Sequence, residues 1–155
     1  MIPKKILNYL EKSKTKYEVV EHKTVYTAYD IAATLKMKLD DVVKTLMVKG
    51  DKQIYLLVLS GARKVNFDKV KKIVSAKKVE IVKEALMKKV LKLKPGSTPP
   101  FGGLFKLPVL FDAGLKNKKS LLVRAGSYED SVKIRTSAFV KLEKPRIVSF
   151  SEKPR

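Results

Sequence analysis

Lys44 is the first residue whose type and position could do chemistry. The run Val42 to Lys49 reads as a strand, in which residues two apart share a face. Lys44 then shares its face with Val42, Leu46 and Val48. An ammonium there needs an anionic partner, backbone oxygens or a pocket mouth, because an unpaired buried charge is costly. A strand-end lysine whose head snorkels to solvent is the ordinary alternative. The second feature is the loop from Gly96 to Gly103, which holds three glycines and two prolines. Such a loop follows a fixed path and lets its backbone approach a ligand closely. Phe101 and Phe105 could add an aromatic wall, and a plain surface connection is the competing reading.

Other chemistries are short of residues. The chain has no cysteine, which removes thiol catalysis, disulfides and thiolate metal sites. Its single histidine, His22, rules out a multi-histidine metal centre, and no acidic cluster stands out. No metal and no cofactor are therefore expected. Ser-His-Asp catalysis would have to use His22, yet no Gly-x-Ser-x-Gly elbow occurs, so a structural or pocket-rim histidine is the better reading. Neither a P-loop nor a dinucleotide fingerprint is present.

The elements that position these residues follow from periodicity. Ile6, Leu7 and Leu10 predict a helix over residues 3–13, and Tyr17 to Glu21 reads as a strand. Thr27 is a candidate N-cap, with Asp30 three residues on and an apolar stripe of Ala28, Ile31, Ala32 and Leu35. Asp40 and Asp41 open a turn. Val42 to Lys49 and Gln53 to Ser60 form a hairpin around Gly50-Asp51. The second strand is apolar on both faces and should be central. Asn66 caps a helix carrying Phe67, Val70, Ile73 and Val74, and Val79 to Val82 is a short strand. A basic helix over residues 82–94 ends at Pro95, and residues 95–103 exclude regular structure. Strands follow at Pro108 to Asp112, Ser120 to Ala125 and Val132 to Arg135, with a turn at 126–131. Thr136 caps a helix through Leu142, and Arg146 to Phe150 is a last strand. The intermixed order predicts one mixed α/β domain.

A chain of 155 residues suits a single domain with a real core. The longest apolar run, Ile54 to Leu59, is far short of a membrane span, and the N-terminus lacks a signal-peptide core. A soluble, cytoplasmic protein is expected, with no membrane partner. Scarce Asn, Gln and Cys beside abundant Lys fit a thermophilic source. Thirty-five Lys and Arg against 15 Asp and Glu give a net charge of +20. Such a field favours polyanions, above all nucleic acid. Residues 62–94 carry twelve of the basic residues and three acidic ones. Lys77, Lys78, Lys88 and Lys89 in this segment are the candidate RNA-backbone contacts. Oligomeric state is not written in the sequence.

Taken together, Val43-Lys44-Thr45-Leu46, Gly96-x-x-x-Pro100-x-Gly102, Val109-Leu110-Phe111-Asp112 and Arg124-Ala125-Gly126 resemble the YbaK/prolyl-tRNA-editing superfamily in order and spacing. The resemblance spans roughly residues 5–150 and makes residues 1–155 one editing domain. It implies a barrel-like, mostly antiparallel β-sheet surrounded by helices. It also implies a deacylase acting in trans on mischarged aminoacyl-tRNA, the expected wrong group being a small amino acid on tRNA(Pro). Lys44 would anchor the substrate near the terminal adenosine, and the loop through Gly96 and Pro100 would position the attacking water. The substrate-contacting set it suggests is His22, Tyr26, Tyr29, Leu46, Ser97, Thr98, Phe101, Gly102, Asp112 and Gly126. Aminoacyl-tRNA would be the substrate and a prolyl-tRNA synthetase a candidate partner. An aminoacyl ester is already activated, so positioning a water and stabilising the oxyanion suffice. Departures stand at Arg124, where relatives often have a small polar residue, and at Lys133, where many have an acid. The segment Ser127 to Ser131 is also longer than usual, and these positions bear on which amino acid is removed. A non-catalytic RNA-binding protein with the same fold is the alternative.

Overall fold

The computed structural model describes residues 1–154. Pro3 stands at the N-cap of α1 (Lys4–Lys12), which buries Ile6 and Leu10 on one side. After β1 (Glu18–Glu21), the Thr27 hydroxyl accepts the Asp30 amide at 3.1 Å and starts α2 (Ala28–Leu35). The hairpin of β2 (Val43–Gly50) and β3 (Gln53–Ser60) turns at Asp51, whose φ of 54° lies in the left-handed region. Two residues, Lys64–Val65, form β4. The Asn66 side chain then accepts the Lys69 amide at 3.1 Å to cap α3 (Phe67–Val74). Next come β5 (Val79–Ile81), α4 (Glu84–Leu91), the single turn α5 (Gly102–Phe105) and β6 (Val109–Asp112). The chain continues with β7 (Ser120–Arg124), β8 (Asp130–Arg135), α6 (Thr136–Glu143), β9 (Arg146–Val148) and β10 (Ser151–Glu152).

The strands form three sheets. The largest has the order β5-β2-β3-β6-β9, so the apolar β3 is its middle strand. β2 pairs antiparallel with β3 and β5, whereas β6 runs parallel to β3 and to β9. A second sheet, β1-β8-β7, is antiparallel, and β10 pairs with β4 alone. Both faces of β3 are covered. Leu56 and Val58 join Ile6, Leu10, Phe101, Phe139, Val123 and Ile134 in the main core. Leu57 and Leu59 face a second core with Val70, Leu110 and Phe150. All four β3 side chains are fully buried. Burial at this level is worth about 1.5–3 kcal/mol for each leucine. A third cluster of Val25, Ile31, Ala32, Val42 and Leu122 lies under α2.

Several expectations need correction. No closed barrel forms among the described residues. β2 and β7 pack against each other without a ladder, their strand pairing limited to the parallel bridge between Val42 and Leu122, and β5, β9 and β1 end their sheets as free edges. The basic helix is α4 alone. Lys92 adopts a left-handed φ of 56° and stops it before Pro95, while Val82 instead donates its amide to the Met47 carbonyl at 3.0 Å. The loop ends earlier than expected, because Gly102 and Gly103 open α5. Thr136 is the first residue of α6, and its hydroxyl has no partner. The expected last strand breaks after Val148, and β10 leaves it to pair with β4, a strand that periodicity did not reveal. No described helix is long and apolar enough to cross a membrane.

Candidate active site

The site is built where β2 and β7 come together. Val42 and Leu122 face each other across the parallel bridge and share the cluster under α2. By strand alternation, Lys44 and Arg124 carry the same face onward. They meet a cavity of about 240 Å³, also bordered by Tyr26, Leu46, Ile81, Met87, Gly96 and Thr98. Among the described residues, Lys44 and Arg124 are the cations of that lining, and it holds no carboxylate. Lys44 is half-buried and makes no salt bridge or side-chain hydrogen bond among the described residues. Burial pushes its ammonium below the usual lysine range. Arg124 is only 5% exposed. Its Nη2 donates to the Val25 carbonyl at 3.2 Å, while Nε and Nη1 have no partner among the described residues. Burial lowers its proton affinity as well, yet a guanidinium remains charged at neutral pH.

The loop after α4 forms the opposite wall. Gly96 has a φ of +79°, a conformation that favours glycine, and its Cα side lies against the Tyr26 carbonyl. Ser97 is buried. Its hydroxyl donates to the Lys94 carbonyl at 2.6 Å, and its own carbonyl accepts the Gly126 amide at 2.9 Å. Gly126, at φ +76°, therefore clamps the loop from behind. Tyr128 adds a second clamp by donating to the Pro95 carbonyl at 2.7 Å. The Tyr128 ring meets Tyr26 edge-on at 4.8 Å and lies under the Lys94 ammonium at 5.3 Å. The far end of the loop turns inward. Phe101 is fully buried between Tyr9 and Phe139, so it is a core residue rather than a pocket wall. A Cβ on Gly102 would collide with the Leu107 carbonyl and Val109. Glu143 fixes this end by accepting the Gly103 amide at 2.8 Å and the Tyr9 hydroxyl at 2.7 Å.

The predicted residues thus divide. Lys44, Tyr26, Leu46, Gly96 and Thr98 border one cavity. Ser97, Pro100, Phe101, Gly102 and Gly126 support the loop without lining it. His22 stands apart, with Nε2 2.9 Å from the Ser131 hydroxyl and Nδ1 2.8 Å from the Lys23 carbonyl. Tyr29 is 70% exposed on α2, outside the lining. Asp112 is buried elsewhere. It accepts the Phe150 and Ser151 amides at 3.1 and 3.3 Å and the Ser151 hydroxyl at 2.6 Å. Among the RNA candidates, Lys88 and Lys89 follow the cavity residue Met87 on α4. The Lys77 and Lys78 amides bind Asp51, and the Lys78 ammonium lies 3.6 Å from Glu80. Arg124, expected only as a departure bearing on which amino acid is removed, is a cation of the lining itself. The signal was available, since Arg124 interrupts the apolar run Leu121-Leu122-Val123 just as Lys44 interrupts β2.

Fold and site now define a class: a mixed α/β domain with a small cationic pocket beside a rigid loop. Residues 22–142 match the aminoacyl-tRNA editing domain, and the chain belongs to that family, whose members deacylate mischarged tRNA. It is 29% identical over 139 residues to the prolyl-tRNA editing protein ProX of Acetoanaerobium sticklandii, covering 81% of this chain and 85% of that one. It is 32% identical over 113 residues to the proline–tRNA ligase of Macrococcus caseolyticus, which covers 73% of this chain. The match spans only 19% of that ligase. The crystal structure of hypothetical protein APE2540 has the same fold, with a TM-score of 0.88 at 17% identity over 96% of this chain and 99% of that one.

Proposed function

We propose that this chain, as one editing domain, hydrolyses a wrong small amino acid from tRNA(Pro) in trans, in the cytoplasm where tRNA is charged. The observation that carries the reading is Lys44, an ammonium with no partner among the described residues in a cavity bordered by Gly96 and Thr98. The cavity is about 240 Å³, roughly eight times the share of one water in the liquid. An aminoacyl group fits in that space. Lys44 then anchors the ester near the terminal adenosine, and the loop backbone fixes the water. Gly96 supplies the close approach, and Pro100 with the buried Phe101 stiffens the loop behind it. No covalent nucleophile is needed, because the ester is activated and correct placement supplies much of the acceleration. A prolyl-tRNA synthetase is a candidate partner in this reading. The other reading, an RNA-binding protein without turnover, is favoured by the +20 charge.

The test is a panel of mischarged tRNAs, led by Ala-tRNA(Pro) and Cys-tRNA(Pro), with release of the amino acid followed over time. Hydrolysis that disappears in Lys44→Ala while tRNA affinity persists supports the editing reading. Binding of tRNA without hydrolysis of any member supports the second.

A further inference from the structure

We propose that Arg124 makes the inner end of the Lys44 cavity a seat for an oxyanion of the substrate, separate from the anchor that Lys44 provides. The inference rests on the editing reading and deepens it by naming a ligand chemistry. An arginine has five N–H donors in a planar fork. Arg124 is buried on a strand whose neighbours Leu122 and Val123 are core residues, yet among the described residues only Nη2 has a partner, the Val25 carbonyl. Nε and Nη1 are enclosed and unpaired among the described residues, none of which brings a carboxylate to the cavity. A structural arginine on a buried strand would be expected to have its fork filled by protein oxygens. This one keeps two donors without a partner among the described residues and borders the same cavity as a second cation, Lys44, that makes no ion pair there.

Two cations in one small cavity also orient the ligand. The α-ammonium of an aminoacyl ester would be repelled from both and must face the mouth, near the exposed Tyr26. What faces inward must be neutral or negative, and the unfilled fork selects the negative option. Two parts of the substrate carry such a group: the phosphodiester on the terminal adenosine, and the side-chain carboxylate of an acidic amino acid. Both present paired oxygens to a guanidinium, so the seat is the same and the source differs.

Equilibrium binding on the full chain separates them without turnover, so failure of the deacylase reading and failure of this one remain distinct. Calorimetry would compare adenosine 5′-monophosphate with adenosine, and the 3′-aspartylamide with the 3′-alanylamide of 3′-amino-3′-deoxyadenosine. In Arg124→Met, the anionic member of one pair should lose about 10- to 100-fold in affinity while its neutral counterpart is unchanged. Loss in the first pair assigns the phosphodiester, and loss in the second assigns the carboxylate. Equal affinities in wild type and Arg124→Met, or equal losses for neutral and anionic ligands, overturn the proposal. If Arg124→Met does not fold, Lys44→Met decides, since it leaves Arg124 as the cation of the lining. An anion preference that survives in Lys44→Met supports the seat, and its complete loss removes it.

Discussion

Lys44 and Arg124 each stand two residues past the same parallel bridge, Val42 opposite Leu122, and both border one cavity. The two strands therefore bring forward two cations from segments 80 residues apart, on a shared face. Lys44→Met is expected to lower deacylation by about 10²-fold, the scale of one lost electrostatic contact at a reacting ester. Lys44→Arg should retain part of the rate. Single-turnover release of the amino acid from mischarged tRNA is the measurement, and an unchanged rate in Lys44→Met would remove Lys44 from the chemistry.

Burial lowers the proton affinity of Lys44 in the folded chain. Between its lowered pKa and the ordinary value of 10.5, the unfolded chain binds more protons, so this group makes folding more favourable as pH rises. Its effect on ligands is opposite, because the neutral amine no longer attracts an anion. Affinity for adenosine 5′-monophosphate should therefore begin to fall at a pH below 10.5. In Lys44→Arg that decline should vanish, since arginine keeps its charge there. Binding titrations from neutral to alkaline pH decide the point.

Lys88 and Lys89 on α4 lie beside the cavity residue Met87, whereas Lys78 has Glu80 as a partial counter-charge. Replacing Lys77, Lys78, Lys88 and Lys89 together with glutamine should weaken tRNA binding and flatten its dependence on salt. Each lost phosphate contact lowers the slope of log affinity against log salt by about 0.9 on duplex. Most of the change should come from the α4 pair. A slope identical to wild type would place the RNA on another surface.

Asp112 ties the end of β6 to the turn before β10 through three accepted hydrogen bonds. Asp112→Ala leaves the buried Phe150 and Ser151 donors unsatisfied, at about 1–3 kcal/mol for each group. Urea melts should show a clear loss of stability, with the rate per folded molecule nearly unchanged. A large fall in that rate with stability intact would instead bring Asp112 into contact with substrate.

Glu143 holds the far end of the active-site loop, and burial pushes its carboxyl above the usual glutamate range. Its protonated form is thus favoured by folding. That contribution is complete below pH 4.5, where an ordinary glutamate protonates, and is lost as pH rises through the elevated folded value. Glu143→Gln removes this titration, so its stability should vary less with pH just above 4.5 than that of wild type. Parallel thermal melts at closely spaced pH values would reveal the difference or its absence.

Much of this molecule was legible as sequence. Period-2 alternation places Lys44 among apolar neighbours, and capping chemistry locates Thr27 and Asn66, because both signals are local and depend on near neighbours in the chain. The doubly apolar β3 announced its central position for the same reason. What only the tertiary structure decided is which distant segments meet. Phe101 in the glycine-rich loop could have been a pocket wall, and it became core because α1 and α6 bring Tyr9 and Phe139 to it. Asp112 and His22 find their partners at Ser151 and Ser131, far along the chain, and so leave the cavity lining. Arg124 and Lys44 come to border one cavity because their two sheets are joined at a single bridge and packed together in the main core. No local rule encodes that arrangement, since it depends on how three apolar clusters stack against one another. The sequence by itself determined the elements, the cation on an apolar face and the rigid loop. The stacking of the clusters decided that a second cation borders the same cavity.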